Sequence, residues 1–344
     1  MRRSPFIAAA AAAALALPLA ALPSAAAPPK YSTDDAQLGS TWLAHQLTPA
    51  GYARDTKGRP SPSDTAGIVL ALASTGVAAT AQQHATTWLS KHVNLYARDA
   101  KGKDKPGELA TLILVADSQG KDPKTFGGTN LVKRLQKTQR ASGLYGSQDP
   151  TYDGAYRQGL ALLALSTVHA TNQRGIRWLE LQGCSDGSWT AYRMPHQPCG
   201  FKDTNSTALA VEALATLGIG TARGVTWLHE QQLSDGGWGY GVSTPQYPTT
   251  SDPDSTAVVI QALTAAGVHL TAPVWTKKGG NAFSALDSFE LGCLKPARVR
   301  GAYFYPGGIA KANLLATEQA VPAAAGKAFP LGPTTSLPGT PRCG

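Results

Sequence analysis

The sequence predicts an all-α fold, an α/α toroid in which six helical hairpins (about twelve helices) form an inner barrel wrapped by an outer ring. The first observation behind it is a 49-residue offset that lays one stretch over another without a gap. Arg174-Gly175, Trp178-Leu179, Gln182, Asp186-Gly187 and Trp189 fall on Arg223-Gly224, Trp227-Leu228, Gln231, Asp235-Gly236 and Trp238. Asp203, Ser206-Thr207-Ala208, Ala213-Leu214 and Gly218 fall on Asp252, Ser255-Thr256-Ala257, Ala262-Leu263 and Gly267. The second is that weaker copies run both ways. Trp42, Trp88, Val132 and Leu286 replace Trp178; Ala66, Ala110, Gly159 and Ala316 replace Ala208; Gly76, Gly120 and Gly326 replace Gly218. The third is the character of each unit, an amphipathic segment followed by one that is apolar on almost every side, as in Ala257-Val258-Val259-Ile260. A helix with no polar face has to be buried all round, whereas its amphipathic partner keeps one face wet. Six of each in alternation make a barrel inside a ring; an open solenoid would not require the second helix to be so uniformly apolar.

Taken in order, the chain opens with a leader. Arg2 and Arg3, the apolar stretch from Phe6 to Leu22 and the small residues Ser24-Ala25-Ala26 read as an export signal over residues 1–26, cut after Ala26 or Ala27. A single toroid domain is expected over 27–330, with units at about 33–76, 77–120, 121–169, 170–218, 219–267 and 275–330 and a tail at 331–344. Within each unit the first helix starts near its Trp and a glycine-rich loop of variable length follows. The second opens on a hydroxyl or acidic cap, as in Asp254-Ser255-Thr256, and stops at a glycine suited to the C′ position. No later stretch is apolar enough to span a bilayer. The net charge of +9 is spread along the chain; its densest run, Lys133 to Arg140, has the spacing of a solvated helix face, so no nucleic-acid partner is expected.

Four cysteines in an exported chain predict two disulfides, for which three pairings exist. Cys184 and Cys199 share one long loop, which favours Cys184–Cys199 and leaves Cys293–Cys343 to tie the tail to the last unit. No Cys or His pair has the spacing of a zinc site, and no metal or cofactor is expected.

Arg223-Gly224-x-x-Trp227-Leu228, Gln232 and Gly236-Gly237-Trp238 resemble the QW motif of squalene and hopene cyclases, and the Gln-x-x-Asp-Gly-Gly core is similar to protein prenyltransferase β subunits. The fourth unit departs from the motif, with Gly183 where a Gln is wanted. The ending Gln319 to Pro330 resembles that of the α domain of transcobalamin and intrinsic factor and their secreted bacterial relatives. The resemblance to the terpenoid cyclase and protein prenyltransferase superfamily implies the toroid. In it Gln232 would bond a helix end and Trp238 would hold the outer layer together. Fold alone does not carry function, because one toroid serves cyclases, transferases and carriers.

Every long loop leads from an outer helix to an inner one, so all six inner-helix N-termini meet at one mouth, where partial positive charge gathers. Asp64, Glu108, Asp153, Asn205 and Asp254 belong to that mouth, with Tyr156, Tyr303 and Tyr305 close by in sequence. Each acid could simply cap its own helix. Asp252-Pro253-Asp254-Ser255-Thr256-Ala257 resembles the Asp-x-Asp-Asp-Thr-Ala motif of class II terpene cyclases and implies Asp254 as a proton donor, although Ser255 replaces the last Asp. That family is also expected to place its site between paired toroids. A prenyltransferase would need an Asp-x-Cys zinc pair, and none is present. The expectation is therefore a secreted toroid that binds a small, partly apolar ligand, cobalamin-like under the C-terminal resemblance, at the mouth. A separate protein could complete the site, and His196 could meet a metal-centred ligand. The alternative is a terpenoid cyclase-like enzyme using Asp254.

Overall fold

The computed structural model describes residues 30–148, 154–193, 198–246, 248–278, 280–333 and 343, so the leader, Asp153 and His196 lie outside the described residues. Thirteen α-helices follow in chain order among them. They are α1 (Lys30–Ala44), α2 (Pro62–Thr75), α3 (Ala79–Lys91), α4 (Val93–Ala97), α5 (Pro106–Ser118), α6 (Leu131–Lys137) and α7 (Gly154–Ser166). Then come α8 (Gln173–Gln182), α9 (Thr204–Thr216), α10 (Ala222–Glu230), α11 (Pro253–Ala265), α12 (Ala282–Asp287) and α13 (Leu314–Ala324). The helix beyond the expected twelve is α4, one short turn inside the loop between α3 and α5.

The inner helices close on themselves: α2 packs on α5, α5 on α7, α7 on α9, α9 on α11, α11 on α13, and α13 back on α2. That closure excludes a solenoid. Outside them α1 covers α2 and α13, α3 covers α2, α6 covers α5, α8 covers α7, α10 covers α9, and α12 covers α11 and α13. The apolar pattern explains the layering, since every residue from Ser206 to Leu214 of α9 is buried. The glycines read as C′ residues, Gly76, Gly120, Gly218, Gly267 and Gly326, all adopt left-handed backbone. In the third unit His169 stands 49 residues before Gly218 and still adopts φ 51°, so the turn imposes this geometry even on a residue with a side chain.

Two details of register differ from the sequence reading. The cap of α11 is Asp252, whose Oδ1 accepts from the Ser255 amide at 2.7 Å, rather than Asp254. Pro253 explains the shift: it suits the first helical position, where its missing N–H costs nothing, and this puts Asp254 inside the first turn. In the last unit α13 starts in register with α11 but reaches its C′ glycine two residues sooner. Thr317 Oγ1 accepts the Tyr303 amide at 2.9 Å, as Thr256 Oγ1 accepts that of Trp238 at 3.0 Å and Thr207 Oγ1 that of Trp189 at 2.9 Å. The counterpart of Ala208 and Ala257 is therefore Glu318, not Ala316.

The Tyr145 amide likewise donates to Gln158 Oε1 at 2.9 Å, 49 residues before Thr207, so Tyr145, Trp189, Trp238 and Tyr303 occupy one equivalent place, wedged at the seams between units. Trp238 Nε1 donates to the Leu228 carbonyl at 2.7 Å and Trp189 Nε1 to that of Leu179 at 2.9 Å. Gln232 Nε2 donates to the carbonyls of Gly236 and Trp275, both at 2.9 Å. Disulfides join Cys184 to Cys199 and Cys293 to Cys343, with Cα separations of 5.9 and 5.2 Å.

Candidate functional site

The inner helices leave a chamber of about 270 Å³ on the barrel axis. Its wall is mostly apolar, with Leu70, Leu160, Leu209, Val258 and Leu315, while Tyr96, Tyr156, Gln261, Glu212 and Glu318 supply polar groups. After α13 the chain turns under the barrel and Phe329 closes the floor. The Phe329 amide donates to Glu212 Oε1 at 2.7 Å, and the Gly332 amide donates to Asp117 Oδ2 at 3.2 Å.

At the other end the chamber opens. A groove of about 1170 Å³ runs over the N-termini of α2, α5 and α7, and it shares Ser63, Tyr96, Tyr156 and Leu160 with the chamber. These four residues form the neck between them. The groove is polar, lined by Arg98, Lys103, Lys105, Lys137, Arg140 and Arg157 together with Asp99, Asp104 and Glu108. Several of its charges are paired: Arg134 and Arg98 hold Asp104 at 2.6 and 3.6 Å, and Lys105 holds Glu108. The site thus has a charged porch and a greasy interior.

The interior carboxyls are neutral around pH 7. Burial pushes Glu212 up to about 8, even against the stabilising Phe329 amide. Burial, with the nearby Asp64 charge, raises Glu318 well above its ordinary value. Glu318 Oε1 is buried and has no hydrogen-bond partner. Its place is made by a glycine, since a Cβ on Gly67 of α2 would collide with the Glu318 carboxyl. An exception on one helix matches an exception on its neighbour: glutamate where the other units carry Ala66, Ala110, Gly159, Ala208 and Ala257, and glycine where they carry Thr111, Leu160, Leu209, Val258 and Gln319. Burial also lifts the phenols of Tyr96 and Tyr156 to about 12, so both stay protonated donors.

The residues singled out from the sequence divide three ways. Tyr156 lines chamber and groove, and Glu108 lines the groove. Asp64, Asn205 and Asp254 sit half-buried in the first turns of α2, α9 and α11, and none of them lines chamber or groove. Asp254 Oδ1 is buried without a partner, and burial followed by the Asp252 charge pushes its carboxyl up to about 7. Tyr305 stands half-exposed beside Asp252 and Asp254. Tyr303 is wholly buried in the seam between the last and first units, away from the axis. Glu212 and Glu318 escaped the sequence reading, although each is a charge set in an apolar run, Ala210-Val211-Glu212-Ala213-Leu214 and Ala316-Thr317-Glu318-Gln319-Ala320.

No protein-family model matches the chain, and no curated protein sequence does. Solved structures do. A protein from Actinoplanes is 17% identical with a TM-score of 0.59, over 86% of this chain and 99% of that one. Type II terpene cyclase MstE from Scytonema is 13% identical with a TM-score of 0.61, over 87% and 98%. The chain has the α/α-toroid fold of terpene cyclases. The same toroid is shared with a structure described as UGL with dGlcA-Glc-Rha-Glc, 13% identical with a TM-score of 0.55, over 85% and 95%. At these identities the likeness extends to the fold and not to any residue's role.

Proposed function

We propose that the toroid binds a small, partly apolar ligand whose apolar end enters the axial chamber while its polar end rests in the groove. The observation that carries this reading is the Glu318–Gly67 pair. A glutamic acid is buried with an unanswered oxygen in an apolar chamber, and the neighbouring helix gives up a side chain to admit it. A buried polar atom left without a partner costs about 1–3 kcal/mol. A ligand hydroxyl or carbonyl meeting neutral Glu318 would recover that cost. The chamber is at the small end of ligand pockets, which run to roughly 300–1,000 Å³, so only part of the ligand enters it. A corrinoid, which the C-terminal resemblance implies, would have to lie across the groove. Export through the 1–26 leader, two disulfides and a separate protein over the groove complete the proposal.

The test is native mass spectrometry of the protein exposed to a polar-lipid extract and to cobalamin, alongside Leu160→Trp, which blocks the neck. The expected result is a retained small molecule on the wild type and none on the variant. Equal retention by both would place the ligand elsewhere and refute the chamber.

A second reading has its own observation. Asp254 is a desolvated acid with a partnerless oxygen and a carboxyl held up to about 7, as a proton donor to an alkene requires. The expectation that such cyclases need paired toroids does not count against it, because this chain spans 98% of one described as a type II terpene cyclase. Incubation with geranylgeranyl dihydroxybenzoate, the substrate named in a structure of that cyclase, distinguishes the two. Turnover lost in Asp254→Asn supports the cyclase, and no turnover by the wild type favours binding.

A further inference from the structure

The seams between units allow a comparison within the molecule. Between the third and fourth units, Gln139 pairs backbone with Tyr145, and a Cβ on Gly175 of α8 would lie 3.2 Å from the Tyr145 ring. Asn172 caps α8. Gln139 and Asn172 exchange two hydrogen bonds, Nε2 to Oδ1 and Nδ2 to Oε1, both of 3.0 Å. Asn172 Nδ2 also donates to the Tyr145 hydroxyl at 3.3 Å. Amide answers amide there, and the phenol is included.

Where the sixth unit meets the first, the framework returns with other chemistry. Glu290 pairs backbone with Tyr303, and a Cβ on Gly39 of α1 would lie 3.6 Å from the Tyr303 ring. Asp35 stands one turn before Gly39, much as Asn172 stands before Gly175. Glutamate stands where the other seam has glutamine, and Asp35, one residue before the counterpart of Asn172, brings a carboxyl in place of the second amide, so the side-chain N–H donors of that amide pair are gone. A third carboxylate, Asp287, ends α12, and one oxygen from each of the three lies within 4.8 Å of the others. None of the three is paired with a lysine or arginine among the described residues. Beneath them the Tyr303 hydroxyl is wholly buried and has no hydrogen-bond partner, and Glu290 Oε1 has none either. The backbone bridge to Glu290 holds Tyr303 beside the cluster, and burial first, then the charges of Glu290, Asp35 and Asp287, raises its phenol well above the ordinary value.

We propose that Asp35, Asp287 and Glu290, backed by the Tyr303 hydroxyl, form a calcium site that clasps the last unit to the first and so locks the ring. With nothing bound, Asp35 hydrogen-bonds to Asp287 and Glu290 through shared protons, so an occupant that lets all three carboxylates ionise must be positive. It must also be oxygen-seeking, because no nitrogen or sulfur ligand is near. Calcium accepts six to eight oxygens in adaptable geometry, and three carboxylates can offer up to six; magnesium demands a stricter octahedron and keeps its waters. Asp287 is exposed while Asp35 and Glu290 are half-buried, so the ion enters from the Asp287 side. Extracellular calcium modules work at about 10⁻⁴–10⁻³ M, the range expected for a site with one open side. The inference is independent of what the axial chamber binds.

The experiment is thermal unfolding of the full chain in millimolar calcium, in millimolar magnesium and in chelator, beside terbium luminescence excited through the protein's aromatic rings. Calcium is expected to raise the melting temperature by about 2–4 °C or more, and magnesium by less. Terbium should bind with sensitised emission that calcium displaces. The double variant Asp35→Asn with Glu290→Gln rebuilds the amide pair of the other seam, so it should fold without metal and lose both responses. No melting shift and no displaceable terbium on the wild type would overturn the site. So would a double variant that keeps the calcium response. A double variant more stable than the calcium-saturated wild type, with no calcium effect on either, would mean that the carboxyls share protons instead.

Discussion

Glu212 and Glu318 are held neutral in an apolar wall, and that has a measurable cost. In the unfolded chain a glutamate ionises near 4.5, whereas folded Glu212 holds its proton up to about 8. Between those values the folded state binds more protons than the unfolded one, so stability falls as pH rises. The contribution is complete below pH 4.5 and lost by the time pH passes about 8. At about 1.4 kcal/mol per pKa unit, Glu212 alone makes this a few kcal/mol. Urea unfolding of the wild type should show a falling midpoint across that interval. Glu212→Gln keeps an acceptor for the Phe329 amide and has no proton to lose, so its profile should be flatter. A parallel decline in both would show that Glu212 is ionised in the fold. Gly67→Ala puts a methyl where the Glu318 carboxyl lies and turns that carboxyl into the chamber, so the variant should retain less ligand while its stability changes by no more than about 1 kcal/mol, the helix gain of alanine offsetting the displacement. Native mass spectrometry of the variant reads the first and differential scanning calorimetry the second.

At the scale of elements, the sequence already contained most of what holds the hairpins together. The 49-residue repeat singles out Trp238, which is fully buried and donates to the Leu228 carbonyl, while Gln232 donates to the Gly236 and Trp275 carbonyls. Trp238→Ala should cost about 3–5 kcal/mol, because it empties a core site and orphans the Leu228 carbonyl. Trp238→Phe retains most of the packing and should cost less; calorimetry of the pair tells packing from hydrogen bonding. Boundaries were less legible. The reading put the α11 cap at Asp254, whereas Pro253 moves the first turn forward and gives the cap to Asp252. Hence Asp252→Ala should lose about 1 kcal/mol of stability, and Asp254→Asn should not lose a cap. Equal losses in thermal melts would contradict that assignment. The start of α13 slipped because aligning Gly326 with the other C′ glycines hides a helix two residues shorter, and that slip concealed Glu318 behind Ala316.

For the whole molecule, closure was legible and the site was only half so. Alternating all-apolar and amphipathic helices imply a barrel within a ring, and the contact of α13 with α2 completes it. The sequence expects a mouth at all six inner-helix N-termini; a groove opens over those of α2, α5 and α7, and Tyr156 and Glu108 line it. The chamber below was not visible, because a cavity depends on which of several inward positions are small or large around a ring. Periodicity does not encode that. Nor could it show that Tyr303 serves a seam and not the axis. The Cys293–Cys343 bridge spans 50 residues and should stabilise the whole ring by about 4 kcal/mol on loop entropy alone. Cys293→Ser with Cys343→Ser should lower the melting temperature accordingly. The central claim is that the axial chamber takes a ligand through the neck at Tyr96, Tyr156 and Leu160. Its most direct test is native mass spectrometry of the protein incubated with a polar-lipid extract, wild type against Leu160→Trp. A small molecule held by the wild type and absent from the equally folded variant is the expected outcome. A wild type that stays bare, or a variant that retains the same molecule, would contradict it.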